Sequence, residues 1–493
     1  MSGSRTARRA GAAPYGARTP LAGLDRRSLG QAEVAAQSVS LMAPCAAGAS
    51  VPLLIAQSGA AVVGSLLVAV FLAGLVARVL TEFSSRMAAP GALYTYAAKG
   101  LGPAAGFFTA AAMILGYGAL AMFTLTESAV YALRAAGVDR PPTAVFVVTL
   151  LGFGAASSVV LLRGIRLSAR VSLVVEAVAV AILLIVALVV AVSVRGQVDL
   201  SDVVVAPSGV TNFAAGVALA TCALIGFESA ASLSVEARHP LRSVPAAIRG
   251  SLVIGAVVVL IATAAQAAGR SAVHPIPTGS NANLDRLVQG IGAGWLAPVV
   301  DLGVVASFLA CTLACVTALA RLLLSLSREG VISSRVGQTH LQRKTPTIAI
   351  AASMTVIVTA PVAMALTRVY LGSIIGALAT APVIGFIASY VSVSVAAPVF
   401  LRRMGESQAI VTAISTMAAV AFGGIGVTFI VVILDTDWAL GALGALGWFA
   451  AAAIAYVVYR VRRPAALAGI GIHETPTRSD LWSGHRPRSA PSR

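Results

Sequence analysis

Four acidic side chains stand inside long apolar runs of the sequence: Glu127, Glu176, Glu228 and Asp301. An ionised carboxylate at mid-bilayer costs at least ~2.5 kcal/mol on insertion scales, so such residues pair, titrate or line a polar path. Glu228 follows Gly226 and Phe227 directly, which suits it to handle substrate or protons; the structural alternative is a carboxylate that caps freed backbone amides. Glu176 is a second candidate proton carrier. Glu127 and Asp301 lie nearer the outer ends of their runs, where snorkelling or packing is the default. Ser307, Thr312 and Thr317 share one run and could ligate sodium together with backbone carbonyls. The number and apolar setting of Cys45, Cys222, Cys311 and Cys315 exclude a disulfide scaffold. Cys311 and Cys315 share a helix face that could take a soft metal, although small packing residues are the simpler reading. All five histidines fall in connections, and no metal cluster, phosphate-binding loop or nucleophile motif occurs. Neither cofactor, metal nor enzyme chemistry is expected.

The elements that hold these residues follow from composition. Of 493 residues, 58% are hydrophobic and 11% charged, with a mean hydropathy of +0.91. Soluble chains carry about 25% charged residues, so the excess apolar surface must face lipid. Runs long enough to span a bilayer as helices occur at 34–57, 60–80, 104–133, 143–162, 171–194, 213–235, 250–268, 295–326, 347–367, 371–400, 408–434 and 438–459. The runs at 104–133 and 295–326 exceed one bilayer thickness, which implies tilt or an extension beyond the membrane. Residues 1–32 and 464–493, rich in Arg with Gly, Ala, Pro or Ser, read as disordered tails around a domain at 33–463.

The net charge of +17 does not indicate nucleic acid, because no basic patch alternates with aromatics. It records topology instead. With the N-terminus inside, 29 of the 35 Lys and Arg fall on the cytoplasmic side and 6 on the other. That bias is what the positive-inside rule requires, and it places both termini in the cytoplasm. The high Ala and Arg content with almost no Lys hints at a GC-rich bacterium, hence a bacterial plasma membrane.

Two runs interrupt their own helix. The first carries Pro44, Gly48 and Pro52 among small side chains; the sixth carries Gly226 beside Glu228. Proline removes a helix hydrogen bond and clashes with the preceding turn. Backbone freed in this way is tolerated in a bilayer only where protein buries it or it lines a cavity. Paired breaks in corresponding spans of two halves point to a transporter's central site, the alternative being two ordinary kinked helices.

The residues around these breaks resemble the amino acid–polyamine–organocation (APC) superfamily. Gly226-Phe227-Glu228, then Glu236, Pro240, Arg242, Pro245 and Ala246, look like its sixth-span signature. Arg321, Ser327-Arg328-Glu329-Gly330, His340 and Thr345-Pro346 resemble the stretch after its eighth span. Gly91, Tyr94, Tyr96, Gly102 and Gly106-Phe107 match between spans two and three, and Gly164-Ile165-Arg166 with Ser168-Ala169 match before span five. The resemblance covers roughly 33–350. Typical members carry G-S-G-I in the first break, whereas this chain has Cys45-Ala46-Ala47-Gly48. Some proton-coupled relatives place a lysine near Glu176, where this sequence has Ala179.

The resemblance implies an all-α membrane protein of twelve spans: two inverted five-helix repeats at 33–194 and 213–400, then two helices at 408–459. It implies a midplane site in which a substrate carboxylate meets amides around Cys45, Ala46, Ala47 and Gly48. The ammonium would meet carbonyls of Ala43, Leu224, Ile225 and Gly226, with Phe227 as an apolar gate. Open helix ends can bind a zwitterion in this way without fixed charges. The expected function is secondary transport of an amino acid, proton-coupled or by exchange, with Glu228 and Glu176 as proton-handling candidates and Ser307 with Thr312 as a sodium alternative. A polyamine or other organic amine is the nearest rival substrate, needing a second carboxylate such as Glu127 or Asp301. A channel or transport-dead sensor would need a continuous polar stripe, which the isolated polar residues do not form.

Overall fold

A computed structural model describes residues 23–57, 61–194, 209–272, 284–367 and 371–474. Twelve helical spans are long and apolar enough to cross a membrane, and among the described residues the only β-structure is two isolated bridges. An interior without water leaves a helix as the simplest way to satisfy every backbone group. We number the spans in chain order. Span 1 comprises Gln31–Met42 and Pro44–Gln57, and span 2 is Val62–Ser84. Spans 3, 4 and 5 are Pro103–Ala135, Thr143–Arg163 and Ile165–Ser193. Span 6 comprises Val210–Cys222, a turn and a 3-10 segment, Phe227–Leu233. Spans 7 to 12 are Pro240–Ala272, Ala297–Arg328, Thr347–Leu366, Leu371–Arg403, Ala409–Leu434 and Ala439–Arg462. Span 3 is one continuous helix of 33 residues, about 50 Å long, so it must tilt or project.

Enclosure separates the spans into two groups. The apolar 18-residue stretches of spans 1, 6 and 8 are 72%, 72% and 78% buried, whereas those of spans 4, 5, 11 and 12 are 28%, 33%, 28% and 17% buried. The two interrupted spans and span 8 therefore form the centre, and the outer spans present their large apolar side chains to lipid. Span 8 packs along spans 3 and 5, and span 10 packs along span 3. Span 10 meets span 3 at Gly385, where an added Cβ would stand 2.6 Å from the Ala112 carbonyl oxygen.

Both interruptions are present, the first in a tighter form than its sequence suggests. Ala43 alone leaves the helix, at φ 46° and ψ 57°, and helix resumes at Pro44. Proline is favoured at the first helical position, where its missing N–H is not needed. Cys45, Ala46, Ala47 and Gly48 are accordingly helical rather than unwound. In span 6 the break is wider, from Ala223 to Gly226, and Gly226 takes φ 114°.

Parts of both expected tails are folded. Leu29 bridges Ala237, and the amides of Arg27 and Leu29 donate to Val235 and Glu236. Pro464–Ala468 forms a short helix, and Glu474 bridges Ala88. The two ends meet through an Arg26–Glu474 ion pair of 2.5 Å, while Leu24 and Ile472 pack with Val235 and Leu324. Disorder therefore does not extend to 23–32 or 464–474: Leu24, Leu29, Leu467 and Ile470 supply apolar anchors amid polar composition. Residues 1–22 and 475–493 lie outside the described residues.

The C-terminal strap is held by Glu329, at the end of span 8, which accepts from the amides of Gly471 (2.8 Å) and Ile472 (2.9 Å) and from the Tyr94 hydroxyl (3.0 Å). Burial pushes the Glu329 carboxyl up to about 7, against those bonds and Lys99. A carboxyl raised on docking holds its proton in the docked state, so docking is strongest in acid and weakens as pH rises through about 7. Hydrogen exchange of the 471–474 amides, corrected for intrinsic rates, should lose at least about tenfold in protection between pH 5 and 8. Glu329→Gln should remove that dependence.

Candidate functional site

The two breaks touch. A Cβ placed on Gly226 would lie 2.8 Å from the Leu41 carbonyl carbon and 2.9 Å from the Met42 nitrogen. Only glycine provides both the positive φ and the missing side chain that this approach needs. Ser38, one turn before the first break, stitches the two together. Its hydroxyl donates to the Phe227 carbonyl (2.7 Å) and accepts from the Ala230 amide (2.8 Å). The carbonyl end of the first half-helix is also engaged, since the Cys311 thiol donates to the Leu41 oxygen at 3.0 Å.

Glu228 sits fully buried beneath this contact. Its Oε2 accepts from the Gly226 amide (3.1 Å) and the Tyr390 hydroxyl (2.7 Å), and its Oε1 accepts from the Tyr117 hydroxyl (3.3 Å). The carboxylate thus holds the turn of span 6 to spans 3 and 10. Phe227 is buried with its ring 5.6 Å from that of Tyr390, so it packs into the same group.

A second cluster surrounds the start of the half-helix Pro44–Gln57. The Cys45 amide donates to Glu176 Oε1 (3.4 Å) and the Ala46 amide to Ser307 Oγ (3.2 Å), while Ser307 donates to Glu176 Oε1 at 3.0 Å. Ala47 closes a helical turn onto the Ala43 carbonyl at 2.9 Å. The Gly48 carbonyl accepts from Gln266 of span 7 at 2.6 Å. A small cavity beside Gln266 is walled by Leu183 and Val186 of span 5 and by Ala262 and Ala265 of span 7. Gly48 adjoins that wall, for a Cβ there would stand 2.9 Å from Leu183 and 3.1 Å from Ala262.

The sequence-level candidates therefore fall into two neighbouring groups. Cys45 and Ala46 bond Glu176 and Ser307, with Ala43, Ala47 and Gly48 beside them in the chain, whereas Gly226 bonds Glu228, with Leu224, Ile225 and Phe227 beside it in the chain. Ser307 and Thr312 are not brought to one point. Thr312 bonds the Thr124 hydroxyl (2.8 Å) and the Phe308 carbonyl (3.0 Å), while Ser307 serves Glu176 and Ala46. Five residues along a helix turn two side chains well apart. Glu127 is buried with Arg134 as its basic neighbour, and Asp301 is buried in the second turn of span 8. Cys311 and Cys315 lie 3.8 Å apart through their sulfurs, and no group of three or more metal-type ligands forms among the described residues.

Sequence reasoning passed over Tyr117, Tyr390, Ser38 and Gln266, which complete both groups. A signal existed for each: a hydroxyl or amide within an apolar span must find an internal partner. Elsewhere in the centre, Arg321 of span 8 makes a two-point ion pair with Glu236 after span 6, at 2.7 and 3.0 Å, with both side chains buried.

Comparison with known proteins gives the family. A family model described as "Amino acid permease" matches residues 29–461, which includes all twelve spans apart from the last residue of the twelfth. The chain is also similar to the branched-chain amino acid permease BcaP of Bacillus subtilis (strain 168), 26% identical over 151 residues. That stretch covers 29% of this chain and 30% of the relative, so the likeness spans under a third of either protein. With its family model matched over most of its length and its broken spans meeting at the most enclosed part of the fold, the chain belongs to the amino acid permease family of the APC superfamily.

Proposed function

We propose that the chain is a secondary carrier that binds an amino acid where its two broken spans meet and passes it across the membrane by alternating access. The observation that carries this reading is the juxtaposition of opposite helix ends. The amide end of Pro44–Gln57, at Cys45 and Ala46, lies next to the carbonyl end of Gln31–Met42 and the turn at Gly226. Such ends suit a carboxylate and an ammonium respectively. The apolar wall of Leu183, Val186 and Ala262 suits a hydrocarbon side chain, and the name of the Bacillus subtilis relative favours the branched-chain class. The charge bias of the connections favours cytoplasmic termini, and the composition favours a bacterial plasma membrane.

One observation favours the amine alternative: the Cys45 and Ala46 amides are already bonded to Glu176 and Ser307. A substrate lacking a carboxylate would leave those bonds intact. Uptake into proteoliposomes decides between the two. Leucine, isoleucine or valine should accumulate, and putrescine should not compete; the reverse pattern would overturn the amino acid reading.

The same assay tests Glu228. Its three bonds to the Gly226 amide, Tyr117 and Tyr390 support a role in holding the span 6 turn, and a titrating role predicts a different variant phenotype. Glu228→Gln keeps size and most bonds. Proton handling by Glu228 would abolish concentrative uptake yet spare counterflow exchange. Near wild-type uptake with an unchanged pH profile would assign it to holding the turn.

A further inference from the structure

We propose that Glu176 is a built-in competitor of the substrate carboxylate: together with Ser307 it covers the Cys45 and Ala46 amides of the second half of span 1 while the site is empty. When the substrate carboxylate takes those amides, Glu176 gives them up and binds one proton from solution. This rests on the reading of the protein as an amino acid carrier.

The start of Pro44–Gln57 has few free donors. Pro44 has no N–H, and the Ala47 amide is spent on Ala43. Only Cys45 and Ala46 can receive an anion, and a single unit, the Glu176 carboxylate with the Ser307 hydroxyl, covers both. The cover is loose. The Cys45 bond is 3.4 Å long, beyond the usual range for N–H···O. Glu176 Oε2 has no hydrogen-bond partner although the residue is only 2% exposed.

Glu228 provides the contrast. Both its oxygens are bonded, and it holds one backbone amide between two tyrosines. The half-satisfied carboxylate is the one at the amide end. It is also the one on a lightly packed span, since an 18-residue apolar stretch of span 5 is 33% buried against 72% for span 6, which carries Glu228. A modest displacement of span 5 would uncover the amides.

Charge conservation supplies the proton. A substrate carboxylate on Cys45 and Ala46 would stand beside a Glu176 that has lost its donors, and two adjacent carboxylates share one proton. No base is needed to counter this. The Cys45 thiol of span 1 is coupled electrostatically to Glu176. Asp301 and Cys311 lie on span 8 on either side of Ser307, Glu33 lies at the far end of span 1, Arg242 and Arg249 lie on span 7, and Arg163 ends span 4. The linkage is one proton per substrate, carried by a residue that need not touch the substrate side chain.

The test is calorimetric binding to the purified full-length protein between about pH 5 and 9, in buffers of different ionisation enthalpy, with leucine and with leucinamide as probes. A panel of amino acids replaces leucine if leucine does not bind. On the alkaline limb, wild-type affinity for the amino acid should fall about tenfold per pH unit, with one proton taken up per molecule bound. Leucinamide, which has no carboxylate, should take up none at Glu176 once the titration of its own amine, at about 7.7–8.0, is subtracted. Glu176→Gln should bind the amino acid with little pH dependence and no proton uptake, within about threefold of the wild type in acid. A merely structural role would weaken binding equally at every pH. Should Glu176→Gln fail to fold, the two probes on the wild-type protein still decide the matter. Amino acid binding without proton uptake would overturn this inference alone. Failure of every amino acid to bind would overturn the proposed function and this inference together.

Discussion

Gly226→Ala is expected to reduce uptake by about 100-fold or more while the protein still inserts in the membrane. The added methyl would meet backbone of Leu41 and Met42 at 2.8–2.9 Å, and backbone atoms cannot swing aside as a side-chain end can. At φ 114° an alanine is strained in addition. Strain of about 1–3 kcal/mol and overpacking of a similar size add to several kcal/mol, concentrated where the two spans must fit together. A shift of about 2.8 kcal/mol already corresponds to 100-fold. Gly118→Ala on span 3 is the control, because a Cβ there meets no neighbour. It should transport normally and could gain a little helix stability. Measuring initial uptake rates normalised to folded protein separates the two variants. Equal activity in both would mean that the contact at Gly226 is not required.

The second large effect concerns the Arg321–Glu236 pair. Both side chains are buried, and the guanidinium fork meets both carboxylate oxygens while also donating to the Thr317 carbonyl at 3.0 Å. Removing one member strands a buried charge, which costs about 3–5 kcal/mol. Glu236→Ala and Arg321→Met should each lower the unfolding midpoint sharply. Replacing the pair together by apolar residues of similar volume, Arg321→Met with Glu236→Leu, should recover most of the loss, because paired ions buried in protein contribute little net stability. Arg321→Lys should not rescue function, since an ammonium cannot make the two-point contact. Thermal unfolding in detergent reads this directly. Simple addition of the two single losses in the double variant would contradict the explanation.

How far the sequence reveals this protein depends on the physical origin of each feature. Spans are legible because lipid demands long apolar runs. The break at span 6 is legible because Gly226 and Glu228 are conspicuous in an apolar helix. The first break is legible in existence but displaced in position. Pro44 reads as the interruption, yet it begins the second half-helix, and Ala43 alone takes the left-handed conformation. Proline both ends one helix and starts another, and local sequence does not say which.

Tyr117 and Tyr390 are 273 residues apart in sequence and meet at Glu228, so no local pattern joins them. The grouping of Ser307 with Thr312 fails for the opposite reason. They are close in sequence, but the helix turns them towards different partners. The folded parts of the tails were hidden by composition. A few anchors such as Leu24, Leu29 and Ile470 decide their packing, while the surrounding arginines and prolines suggest disorder.

Substrate is expected to bind where the two breaks meet. An electron cryo-microscopy structure of the protein with a saturating amino acid that it transports tests this most directly. Ligand density is expected between the Cys45 and Ala46 amides and the turn at Leu224–Gly226. The carboxylate should lie within hydrogen-bond distance of those amides, and Glu176 should have withdrawn from Cys45. Density elsewhere, with the Gly226 contact and the Cys45–Glu176 bond unchanged in a protein that is saturated and active, would contradict it.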